Sequence, residues 1–220
     1  MGKEPTFLAS TIGKKVVMAA TGIILFGFVS MHALGNLQAY MGAEALNHYS
    51  VWLRELMHGW GLWIARFTLL AAVALHIWAA VGLTVENMKA RPVGYRAVLH
   101  EQSTYSSRTM VWSGPILALF VVYHILHLTT GNVHGSFVEG DVYHNFVSGF
   151  RVVPVSAFYI VAMLALGLHL YHGVWSMLQT MGLSHPRYNP LRHAFASVFT
   201  VAVVGVNISF PVAVMLGVIR

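Results

Sequence analysis

Residues 16–43 read VVMAATGIILFGFVSMHALGNLQAYMGA, a run without a single Asp, Glu, Lys or Arg. A helix rising about 1.5 Å per residue crosses the ~30 Å hydrocarbon layer of a bilayer in about 20 residues. The run is long enough to span. Four more charge-free runs follow, at residues 67–85, 109–138, 152–186 and 193–219. They predict an all-α integral membrane bundle of five transmembrane helices. The second helix should begin before Arg66, because Trp60 and Trp63 suit interfacial anchors and residues 59–65 are apolar. Pro115 falls near the expected start of the third helix, where a missing N–H costs little.

Composition agrees. Hydrophobic residues make up 57% and charged residues 9% of the chain, whereas soluble domains carry about 25% charged residues. A water-soluble globule and a disordered chain are both excluded. The length of 220 residues suits a single domain over residues 1–220. The first apolar run is too long for a signal peptide and lacks a small-residue cleavage pattern, so it is expected to stay and span. With no cysteine, the chain has no disulfide, thiolate zinc site, iron–sulphur cluster or thioether-linked haem.

The net charge of +6 comes from short basic clusters between the apolar runs, the layout of topology signals rather than of a nucleic-acid surface. Lys3, Lys14, Lys15, Lys89, Arg91, Arg96, Arg108, Arg187 and Arg192 fall on one side, against Arg54, Arg66, Arg151 and Arg220 on the other. The richer side is expected to be cytoplasmic. That places the N-terminus inside, the C-terminus outside and the loops around residues 44–60 and 131–151 outward, in a multi-pass membrane protein.

Thirteen histidines against seven carboxylates are the chain's unusual chemistry. His32, His76, His124, His127, His169 and His172 lie in apolar runs, where an ionisable group is costly and needs a partner or a purpose. Neutral imidazole is a good axial ligand for haem iron. Any one of these histidines could instead be a polar group bonded between helices. A histidine on each of four helices favours ligation. By helical rise, His32 lies ~25 Å beyond Lys15 and His124 ~24 Å beyond Arg108, both toward the outer leaflet. His169 lies ~27 Å in from Arg151, nearer the cytoplasm, and His76 joins it partly by elimination. Two haems, each held between two helices, would form an electron path across the membrane. His127 and His172 follow candidate ligands by three positions on nearly the same helix face, so either member of each pair could be the ligand. Gly35, Ala79, Gly82, Gly167 and Gly173 could leave room for a macrocycle or simply let helices approach. His193 is read as packing, and His48, His58, His100, His134, His144 and His185 as solvated.

Four segments carry a family resemblance. KKVVMAATGIILFGFVSMHALGNLQAYMGAEALNHY at 14–49, LHIWAAVGL around His76, VVYHILHL around His124 and FYIVAMLALGLHLYHGVWSMLQTMGL around His169 resemble the cytochrome b558 family. Its members are five-helix, dihaem membrane anchors of succinate dehydrogenases and fumarate reductases. The resemblance covers most of residues 14–183 and implies two haem b groups. Their axial ligands would be His32 with His124 for the outer haem iron and His76 with His169 for the inner one. It further implies a docked flavoprotein subunit and iron–sulphur subunit, and exchange with a membrane quinone, commonly menaquinone. The chain would then be a non-flavin membrane subunit of the enzyme, with succinate chemistry on a partner. Some dihaem fumarate reductases carry a glutamate two positions before the fourth-helix ligand, on a transmembrane proton path. Gly167 stands there in this chain, so that path is not expected.

Haem propionates need cations. Arg66 is the candidate for the outer haem, Lys89 and Arg96 for the inner. A quinone carbonyl needs an acid or base in reach: Glu55 with His58 on the outer side, or Ser10, Lys14 and His100 on the cytoplasmic side. Three other readings compete. The five-helix subunit of respiratory nitrate reductase concentrates its ligands on two helices rather than four. A haem-free transporter with histidine proton relays, and an anchor that has lost its haem, would both lack a b-type spectrum.

Overall fold

The structure, a computed structural model, describes residues 6–90 and 105–220. Seven α-helices run α1 (Thr11–Asn36), α2 (Ala43–Glu55), α3 (Trp60–Lys89), α4 (Tyr105–His124), α5 (Val142–Phe150), α6 (Val153–Thr180) and α7 (Asn189–Met215). The described residues contain no strand. Five helices are long and apolar enough to cross a membrane: α1, α3, α4 with the π turn that follows it, α6 and α7. Lys3, Arg91, Arg96 and His100 lie outside the described residues.

Charge-free runs and helices do not end at the same places, because hydropathy registers missing charges whereas a helix ends where its backbone is recapped. The first helix begins five residues earlier than the apolar run, at Thr11. There Ser10 accepts the Gly13 N–H at 3.0 Å and donates to the Phe7 carbonyl at 2.6 Å. Gly42, at φ 102°, ends the short 3-10 turn that follows α1. The second span does begin before Arg66, at Trp60, after a turn in which Met57, His58 and Gly59 all have positive φ. The third apolar run reaches residue 138, but its helix closes earlier, in a π turn at Ile125–Thr129, and Gly131, at φ 75°, turns the chain away. Pro115 is likewise not near a helix start. It lies ten residues into α4, where it removes a mid-helix hydrogen bond.

Apolar side chains such as Ile12, Phe67, Leu70, Trp112, Leu119 and Val198 are exposed around the spans, as expected where the solvent is lipid. One end of the bundle joins α1 to α3, through Thr11 and Lys14 to Glu86. At the opposite end, Tyr40 donates to Ser209 at 2.8 Å and Asn47 to Asp141 at 2.9 Å. The short helices α2 and α5 pack there over an aromatic core of Phe120, Phe146, Phe150, Tyr159 and Phe210.

Helix neighbours decide where a site can form. The closest backbone packing pairs α1 with α3, α4 with α6, and α6 with α7, while α1 also meets α6. α1 with α4 and α3 with α6 are not among the closely packed pairs. Each of these two pairs therefore faces across a wider separation than its packed neighbours.

Candidate functional site

Two imidazole pairs span those separations. His32 on α1 and His124 on α4 have ring centres 5.7 Å apart with planes at 89°. His76 on α3 and His169 on α6 have ring centres 6.3 Å apart with planes at 55°. A metal–imidazole bond of about 2 Å on each side, plus ~1.1 Å from nitrogen to ring centre, places two axial imidazoles about 6 Å apart. Both pairs fit that spacing. Among the described residues no three metal-ligating side chains of His, Cys, Asp or Glu converge.

The two pairs lie at different depths. Thr21 of α1 touches His76 and lies eleven residues before His32, and Ser113 of α4 touches His169 and lies eleven before His124. At about 1.5 Å per residue, both helices put the pairs ~16 Å apart along the bundle. Two elements give one spacing.

Those hydroxyls also set the chemistry of the rings. Thr21 is buried and donates its only proton to the Val17 carbonyl at 2.8 Å, so it accepts from His76 Nδ1, 3.0 Å away. Ser113, also buried, lies 3.5 Å from the Met110 carbonyl and 3.3 Å from His169 Nδ1. With Nδ1 protonated, His76 keeps its lone pair on Nε2, the nitrogen that can bind metal. Neither Nε2 makes a hydrogen bond among the described residues.

The other pair is held differently. The phenol of Tyr159 lies 3.3 Å from His124 Nδ1 and 3.0 Å from His127 Nδ1. One phenol has one proton, so it accepts from one histidine and donates to the other. His127 is 2% exposed and stacks between Tyr123 and His134 at 5.5 and 4.8 Å. Only His124 faces His32. His32 departs from the pattern, because its Nε2 lies 3.2 Å from the Asn36 amide nitrogen. Ligation through that atom requires Asn36 to swing aside.

The remaining predicted residues fall elsewhere. Arg66 is exposed, with its guanidinium carbon 4.9 Å from the Trp63 ring centre. Glu55 ends α2 and His58 sits in the positive-φ turn, both exposed. Ser10 is committed to its cap, and Lys14 pairs with Glu86 beside an open groove that Trp78, Gly82 and Lys89 also line. Most of the small residues serve helix packing: a Cβ at Gly35 would enter the Tyr49 ring, at Gly82 would meet Lys14 and at Gly167 would meet Val204, whereas Gly173 faces open space. His134 is not a solvated loop histidine, since it contacts the Asn145 carbonyl at 2.9 Å and accepts the Ser136 N–H at 3.1 Å. Thr21, Ser113 and Tyr159 do not stand out in the sequence; lone hydroxyls in apolar helices carry no periodic signal. Comparison with protein-family models, curated proteins and solved structures found no match.

Proposed function

We propose that the chain is a dihaem cytochrome b that anchors a succinate:quinone oxidoreductase in the membrane. In this reading it carries electrons between an iron–sulphur subunit and a membrane quinone, menaquinone being the favoured one. The observation that carries the proposal is the pair of histidine couples, His32–His124 and His76–His169, at two depths across helices that are not closely packed. The choice of succinate rests on the sequence resemblance, as do the flavoprotein partner and the bacterial cytoplasmic (inner) membrane, while the orientation rests on the distribution of basic residues.

Bound haem supplies one-electron transfer between ferric and ferrous iron. The chain's own residues prepare the two positions. Thr21 fixes the tautomer of His76, and Ser113 orients the His169 ring. Tyr159 holds His124 and ties it to the buried His127. The apolar helices exclude water, so little reorganisation accompanies a change of charge. Quinone reduction consumes two protons, and the Lys14–Glu86 pair beside the Trp78 groove is an ionisable couple at an open surface.

Reduced-minus-oxidised spectra of single variants test the assignment. His76→Ala or His169→Ala should remove one b-type centre and leave the other, and His32→Ala or His124→Ala should remove the opposite one. His127→Ala should leave both ligated. Variants that each retain two intact centres would refute the pairing.

A further inference from the structure

Beyond the two histidine couples, a group of buried donors lies unused between α6 and α7. Arg192 Nε and Nη1, Trp175 Nε1 and His172 Nδ1 are all buried without a hydrogen-bond partner among the described residues. Arg192 is 7% exposed, and its guanidinium carbon lies 5.4 Å from the Trp175 ring centre. His172 meets the same indole edge-on at 5.5 Å, and His193 tilts over it at 5.0 Å. The groups therefore form one cluster rather than scattered defects.

Donor inventory says what is missing. Guanidinium has five N–H groups and no acceptor, and indole has one N–H and no acceptor. A buried cation without a counter-charge is among the costliest arrangements in a protein. No described carboxylate of the chain supplies the counter-charge. Of its described carboxylates, Glu86 is the one at this end of the bundle, and it pairs with Lys14 and Thr11. Glu44, Glu55, Glu139 and Asp141 belong to the opposite end.

We propose that Arg192, Trp175 and His172 form a site for an oxyanion, a carboxylate or phosphate that enters from outside the chain. Its depth suggests one source. His172 and Trp175 follow His169 by three and six residues, hence by ~4.5 and ~9 Å along α6. A propionate of the inner haem would meet the cluster from that side. This version rests on the function proposed above and replaces Lys89 and Arg96 as its cation. The phosphate of a membrane phospholipid offers the same chemistry from the lipid side.

The test compares the full-length wild type with Arg192→Gln, Arg192→Lys and Trp175→Phe, by optical redox titration and by native mass spectrometry for retained phospholipid. For a propionate, removing the cation leaves a negative charge uncompensated and favours the oxidised state. Arg192→Gln should then lower the reduction equilibrium constant of one b-type centre about tenfold, ~59 mV for one electron, and leave the other unchanged. Trp175→Phe should move the same centre the same way by less, and Arg192→Lys should largely restore it. For a phospholipid, both potentials stay fixed while a lipid retained by the wild type is lost from Arg192→Gln. Either result supports the oxyanion site. Folded variants that match the wild type in both measurements overturn it. If Arg192→Gln fails to fold, Trp175→Phe, which keeps an aromatic ring and loses the N–H, decides alone. A wild type without haem would defeat the proposed function, and the lipid comparison would then decide this site by itself.

Discussion

A hydroxyl has one proton, and the direction in which it points determines what the neighbouring histidine can do. Thr21 spends its proton on Val17, which leaves His76 with a free Nε2, and Ser113 lies against His169 Nδ1 in the corresponding place. Losing an outer-shell partner of a metal-bound histidine typically costs 10–100-fold in affinity. Thr21→Val and Ser113→Ala should each weaken retention of one b-type centre by about tenfold or more. The centre assigned to His32 and His124 should be unaffected, as read by haem loss to an acceptor protein. The four histidines are legible in the sequence because ionisable groups in apolar runs are rare. Their hydroxyl partners are not, since a Thr or Ser in such a helix ordinarily bonds its own backbone. Thr21 does that too, and only the fold brings His76 beside it.

The elements that close the far end of the bundle are held by a polar knot. Asp141 accepts the His144 N–H and the Asn47 amide, each at 2.9 Å, and Asn47 in turn accepts the Tyr143 N–H at 2.9 Å. These donors, the His144 N–H foremost, hold the Asp141 carboxyl below the usual carboxylate range. Its contribution to stability is therefore present above the unfolded value of about 3.9 and is lost as pH falls through the lower folded value. Amide exchange across residues 136–150 should accelerate only at such acidic pH. Asp141→Ala should bring the acceleration to neutral pH, at a cost of about 1 kcal/mol for the lost helix cap. Gly149 has a different task. A Cβ there would stand 2.7 Å from His127 Cε1 and 3.1 Å from His134 Nε2, in a buried stack that cannot spread. Gly149→Ala should cost ~1–3 kcal/mol by overpacking, read as a lower melting temperature. Neither α2 nor α5 is legible in the sequence. Both sit in loops where polar residues interrupt the apolar pattern, and hydropathy registers spans rather than short surface helices.

At the scale of the molecule, five spans are legible because lipid requires long apolar helices and the chain has few charges to confuse the count. Which helices touch is not legible. The site depends on it, because the ligand pairs cross the wider separations while the supporting hydroxyls act within the packed pairs. Orientation is a separate claim. With the basic end cytoplasmic, a phosphatase fused after Arg220 should be active, and a fusion in the loop between α6 and α7 should not. The central claim is that two imidazole couples each grip a haem within the bilayer. Pyridine haemochrome assay of the purified, folded protein measures this most directly: the account predicts two haems b per chain, and a chain that binds none contradicts it.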